Sequence, residues 1–146
     1  MSDHPLYLVA VDGSAASERA LDHAITLAQD RGATLLLSHV IPWSGYVPIG
    51  VEAAYARPLE KKEEEMRAYD EILQPAMTKC RGASVAFQEH HSWGHPSRVI
   101  KELIEERGVD MLILGRKGRS NIADMLVGSV SNALAHTASC PVLLVP

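Results

Sequence analysis

The residues best suited to chemistry lie in two short glycine-bearing segments. One reads Gly115-Arg116-Lys117-Gly118, and nine residues separate it from Gly128-Ser129. It follows directly on the aliphatic run 111–114, and the stretch 130–138 after it has helical spacing. A glycine-rich loop leaving a strand and entering a helix lets backbone N–H groups converge on an anion such as phosphate. Glycine permits that approach because no Cβ stands in the way. Ser129 can donate its hydroxyl or cap the helix. Arg116, Lys117 and Arg119 bring positive charge to the same loop, either to meet phosphates or to lie solvated at the surface.

The second segment is Asp12-Gly13, at the end of the first aliphatic run. Asp12 can accept a hydrogen bond from a ribose hydroxyl or hold a Mg²⁺ ion between phosphates. It serves equally well as an Asx-type cap for a helix beginning near Ser14.

Both segments need a frame. Aliphatic strands are expected at 6–11, 35–40, 85–87, 111–114 and 142–145. Helical stripes lie between them. Ala20, Leu21, Ala24, Ile25 and Ala28 form the first, and Leu59, Met66, Tyr69, Leu73 and Met77 the second. Val99, Ile100, Leu103 and Ile104 form the third, and Val130, Ala133, Leu134 and Thr137 the fourth. Arg31-Gly32, Arg81-Gly82 and Arg107-Gly108 each close a helix, with glycine taking a left-handed conformation and arginine facing the negative helix end. Pro96 suits a first helical turn. Pro75 should kink or end the second helix. Residues 42–58 read as an unusually long loop able to shape a partner surface, and 61–65 as a solvated helix face.

Alternating strands and helices give an α/β class with a parallel sheet. The third strand, extending to 84–89 by its polar–apolar alternation, should lie at an edge. The all-apolar strand 142–145 is a second candidate edge, and pairing with another copy of the chain would cover it.

Composition narrows the function. With 146 residues, one domain over 1–146 is expected. One Phe, two Trp and four Tyr leave the core to aliphatic side chains. The net charge of −4 supplies no basic field for nucleic acid or an anionic membrane. Cys80 and Cys140 lack metal-ligand spacing and read as reduced thiols. With no export signal and no long apolar run, a soluble, cytoplasmic protein is expected.

The spacing G-x-x-G-x9-G-S resembles the ATP-binding signature of the universal stress protein family. The opening Leu8-Val9-Ala10-Val11-Asp12-Gly13-Ser14 is similar to that family's, as are His39-Val40, Gly94-His95-Pro96 and the closing Cys140-Pro141-Val142-Leu143-Leu144-Val145. The resemblance spans essentially the whole chain. It implies an open five-stranded parallel sheet, order 3-2-1-4-5, with helices on both faces (the adenine nucleotide alpha hydrolase-like arrangement). It also implies homodimers through strand 5 and, with the signature intact, ATP with Mg²⁺ as ligand. Ala10 and Asp12 would line the ribose and adenine end, Val40 would face the adenine, and Leu114 and Gly115 would continue that wall. Gly118, Gly128, Ser129 and Val130 would cradle the phosphates, with Asp12 holding nucleotide-bound Mg²⁺.

Other constellations carry less. His90 and His91 with His95 suggest a metal site, but neighbours on a strand point to opposite faces. The chain has no G-x-S-x-G elbow, no G-x-x-x-x-G-K-[ST] loop and no G-x-G-x-x-G fingerprint. Two functions remain. A binding module would use nucleotide occupancy to bias a dimer or partner surface. An enzyme hydrolysing ATP or transferring its phosphate would need a positioned base, for which the sequence offers only Asp12 and Asp124. The balance favours binding. The loop reads phosphate without counting it, so AMP or a cyclic nucleotide is an alternative ligand.

Overall fold

The computed structural model describes residues 4–42, 51–118 and 127–146, the helical stretch 51–59 by its backbone alone. Five strands, β1 (Leu6–Ala10), β2 (Thr34–Pro42), β3 (Phe87–Gly94), β4 (Met111–Gly115) and β5 (Val142–Val145), form one sheet in the order β3-β2-β1-β4-β5. Every pairing is parallel. Helices α1 (Ala15–Arg31), α2 (Val51–Ala68), α3 (Gln74–Gly82), α4 (Pro96–Arg107) and α5 (Ser129–Thr137) cover both faces.

The period-two alternation of each strand builds two separate cores. Val9, Leu35, Leu37 and Ile113 pack with Ala20, Leu21 and Ala24 of α1 and with Met77 and Cys80 of α3. Leu8, Leu36, Leu112 and Leu114 turn to the opposite face, against Ile100, Leu103 and Ile104 of α4 and Leu134 of α5. Sheet strands buried on both faces must be apolar throughout, as these are.

Helix ends follow local chemistry in most places. Ser14 caps α1, its Oγ accepting from Ser17 N–H at 3.2 Å. Gly32 and Gly108 take the left-handed conformation after α1 and α4, and Pro96 opens α4. Gly82 differs from expectation. It remains the last residue of α3, and the left-handed residue of that turn is Ser84, with φ of 56°.

Two further expectations are corrected, and a third, at Pro75, takes a form the sequence did not specify. Strand β3 starts at Phe87 and continues to Gly94, because β2 runs on to Pro42 and supplies pairing partners up to the Pro42–Gly94 rung. The expected long loop is partly helix: α2 begins at Val51, where Ala53, Ala54 and Ala56 favour helix ahead of Pro58. Residues 43–50, including Trp43, lie outside the described residues. At Pro75, where the helix was expected to kink or end, the α-helical run is interrupted and Pro75 falls in the first turn of α3. A π-helical segment, Tyr69–Leu73, precedes it, and the Gln74 N–H reaches back five residues to the Tyr69 carbonyl. Widening the turn accommodates a proline that has no N–H of its own to give.

The stripe on α2 also needs revision. Met66 is 59% exposed, whereas Tyr69, Leu73 and Met77 join the core. The charged run 61–65 is not wholly solvated: Trp93 Nε1 donates to Glu65 Oε1, and Lys61 Nζ stands 5.3 Å from the Trp93 ring centroid.

Candidate functional site

Strand order reverses between β1 and β4, and the carboxyl ends of parallel strands at such a point open a crevice. A cavity of about 720 Å³ lies there, within the roughly 300–1,000 Å³ range of small-molecule sites. All nine residues singled out from the sequence line it: Ala10, Asp12, Val40, Leu114, Gly115, Gly118, Gly128, Ser129 and Val130. Arg119 and Asp124 lie outside the described residues.

The turn from β1 into α1 holds Asp12 through local hydrogen bonds. Its Oδ1 accepts the Ser14 N–H at 2.8 Å, so the Asx-type turn is present. Its own N–H donates to Ser17 Oγ at 3.1 Å. Gly13 has φ of 80°, a conformation that favours glycine and lets the chain reverse into the helix. Asp12 thus has a structural task and still borders the cavity.

The glycine loop closes on itself. Gly128 N–H donates to the Arg116 carbonyl at 2.8 Å, and Arg116 N–H donates to Val145 O at 2.7 Å, fastening the loop to the end of β5. A Cβ on Gly128 would stand 3.2 Å from the Gly118 nitrogen, so the two arms touch backbone to backbone. Buried Ser131 donates from Oγ to the Gly115 carbonyl at 2.7 Å, pinning the first turn of α5 to β4.

Ser129 is the first residue of α5 and does not cap it; Gly128 occupies the cap position, and among the described residues no side chain caps the helix start. The N-terminus of α4 likewise has no side-chain cap. Both open onto the cavity, at Ser129 and Val130 and at Pro96 and Ser97. Uncapped helix starts present unpaired N–H groups and partial positive charge, which favour an anion. Lys117 lines the same wall.

Two sets of cavity residues were not found from sequence as site residues. His39, quoted only for its resemblance, is buried at 5% exposure and its Nδ1 lies 2.7 Å from the Val11 carbonyl. On the opposite wall, Glu64, Arg67 and Glu71 come from α2 and the π-helical segment. Among the described residues Arg67 makes no ion pair with either glutamate. Helical spacing of 64, 67 and 71 was readable, but nothing local said which helix face would meet the crevice.

His90 and His91 do point to opposite faces. His90 Nδ1 lies 3.1 Å from Ser38 Oγ, and His91 stacks on His39 with ring centroids 5.5 Å apart. Burial lowers the pKa of both; nearby Arg107 adds to the effect at His90.

The family model for universal stress proteins matches residues 7–146. The chain belongs to the universal stress protein family. It is 32% identical over 146 residues to universal stress protein YxiE of Bacillus subtilis, covering 94% of this chain and 96% of that one. Universal stress protein UspA from Lactobacillus plantarum has the same fold, with a TM-score of 0.80, 20% identity and full coverage of both chains. A universal stress protein solved in complex with cAMP gives a TM-score of 0.66 at 28% identity, covering 99% of this chain and 98% of that one. Gly115, Gly118, Gly128 and Ser129, on which the resemblance was drawn, all line the crevice. No helix among the described residues is long and apolar enough to cross a membrane.

Proposed function

We propose that the chain binds an adenine nucleotide, ATP with Mg²⁺, and works as a nucleotide-dependent regulatory module of the stress response. One observation carries this reading: the closed glycine loop and the uncapped start of α5 share a cavity with an apolar wall of Ala10, Val40, Leu114 and Ile100. The apolar wall suits a base, and the N–H groups at Gly118, Ser129 and Val130 suit phosphates, while the Gly128 N–H is taken by the Arg116 carbonyl and shapes the loop. Asp12, at the junction of these regions, suits a ribose hydroxyl or nucleotide-bound Mg²⁺. When bound, Mg²⁺ would neutralise phosphate charge.

The proposal is binding without turnover, and the groups that could argue against it are the cavity's carboxylates. Among the described residues these are Asp12, Glu64 and Glu71, and Asp12 already accepts a hydrogen bond from Ser14 on Oδ1. The relative bound to cAMP supports a second reading, in which AMP or a cyclic nucleotide is the ligand. A homodimer through β5, the sheet edge opposite β3, and a cytoplasmic location complete the proposal. The two free cysteines suit a reducing compartment.

Mass spectrometry of the small molecule released on denaturing the purified protein tests the ligand. ATP near one equivalent per chain supports a tight-binding module. AMP or a cyclic nucleotide supports the second reading. An empty protein that then fails to bind any adenine nucleotide with Mg²⁺ refutes both.

A further inference from the structure

The peptide joining Val11 to Asp12 is held at both polar atoms by side chains. Val11 N–H makes the last rung to β2, donating to Ser38 O at 2.9 Å. Beyond it the chain leaves the sheet, and the Val11 carbonyl has moved past the strand ladder. His39 meets that carbonyl at 2.7 Å. A carbonyl oxygen only accepts, so His39 Nδ1 carries the proton and donates. On the other side, the Asp12 N–H donates to Ser17 Oγ at 3.1 Å, and that hydroxyl donates in turn to Ala10 O at 3.4 Å. Rotation of this peptide plane would swing the Asp12 side chain away from the glycine loop.

The His39 ring is itself buttressed. It stacks on His91 at an interplanar angle of 23°, and Tyr69 leans on the far side of the stack with its centroid 6.0 Å from that of His91. The Tyr69 hydroxyl donates to Glu89 Oε2 at 3.0 Å. The π-helical segment that begins at Tyr69 thus backs a histidine pair, which backs the peptide that carries Asp12.

We propose that His39 is a positioning residue for the nucleotide site, orienting Asp12 toward the glycine loop through its hydrogen bond to the Val11 carbonyl. The proposal rests on the nucleotide-binding reading above. His39 also borders the cavity, and the dependence of its effect on Asp12 distinguishes positioning from direct contact with the ligand.

A double-mutant cycle on the full chain tests it, with ATP and Mg²⁺ titrated calorimetrically. His39→Leu should weaken ATP binding roughly tenfold, the equivalent of one misplaced hydrogen bond. His39→Asn, whose side-chain amide can donate from about the position of Nδ1, should restore most of that loss although it packs no better. In an Asp12→Ala background His39→Leu should change affinity little. Equal losses in the two backgrounds, or no loss in either, would overturn the proposal. Should His39→Leu fail to fold, Ser17→Ala frees the other end of the same peptide and must show the same dependence on Asp12. A wild-type protein that binds no adenine nucleotide in this titration removes the function itself, and the positioning role with it.

Discussion

Gly118 faces Asp12 so closely that a Cβ on the glycine would stand 3.0 Å from the carboxylate Oδ2. The glycine loop and the β1–α1 turn, more than a hundred residues apart in sequence, therefore meet at a point where only hydrogen fits comfortably. Asp12 has little freedom to yield, because its other oxygen is engaged by Ser14 N–H. Gly118→Val should displace the loop or the carboxylate and weaken nucleotide binding by at least about tenfold, while leaving the melting temperature close to wild type. Retained affinity in a folded variant would refute the loop's role.

Gly115 answers to a different constraint. A Cβ there would lie 2.8 Å from Ala16 Cβ and 2.9 Å from the Ala16 carbonyl carbon, inside α1 backbone that cannot easily move. Gly115→Ala should cost about 1–3 kcal/mol of stability by overpacking. Chemical denaturation would reveal it as a lower midpoint with an unchanged slope. A neutral effect would show that α1 shifts to make room. The glycine signature is thus a mixture of a packing requirement at Gly115 and a loop requirement at Gly118 and Gly128.

The two strand histidines set a pH dependence. Burial lowers the pKa of His90 and His91 in the folded chain, so the unfolded chain binds protons first as pH falls. Stability should hold above about pH 6.5, where an unperturbed histidine titrates, and decline as pH drops below it. Urea midpoints at pH 7.5 and 5.5 would show the decline. The double variant His90→Gln/His91→Gln should narrow the gap; an unchanged gap would assign it to other groups.

Strand β5 offers a fourth test. Val142, Leu143 and Leu144 are only half-buried in the single chain, and among the described residues β5 pairs with β4 alone. Sedimentation at micromolar concentration should give a dimer if a second copy covers this edge. A monomer under those conditions would sink the proposal.

Much of this architecture was written locally. The Ser14 cap, the left-handed Gly32 and Gly108, and Pro96 at a helix start are decided by neighbours within a few residues. So were the aliphatic cores of β1, β2, β4 and β5. The order of the strands was not local, and came through resemblance. Strand β3 was misplaced because its extent depends on β2, which continues past Val40 and dictates pairing from a distance. Pro75 was read by its usual rule, but a π-helical turn upstream absorbs the missing donor. Within the site, the glycine loop and Asp12 could be found from spacing. Arg67 and the carbonyl contact of His39 could not, since both depend on which elements pack across the crevice.

The cavity draws its walls from β1, β2, the π-helical segment, the start of α4, the end of β4 and the start of α5. No contiguous half of the chain contains it. A ribosome must therefore release residues as late as Ser131 before the pocket can exist, and a nucleotide cannot help an earlier fragment to fold. Once complete, the pocket ties occupancy to the integrity of the whole sheet. A ligand at about a hundred times its dissociation constant would add some 2.7 kcal/mol to global stability. On the proposed nucleotide reading, cellular nucleotide levels would then govern how long each molecule survives proteolysis.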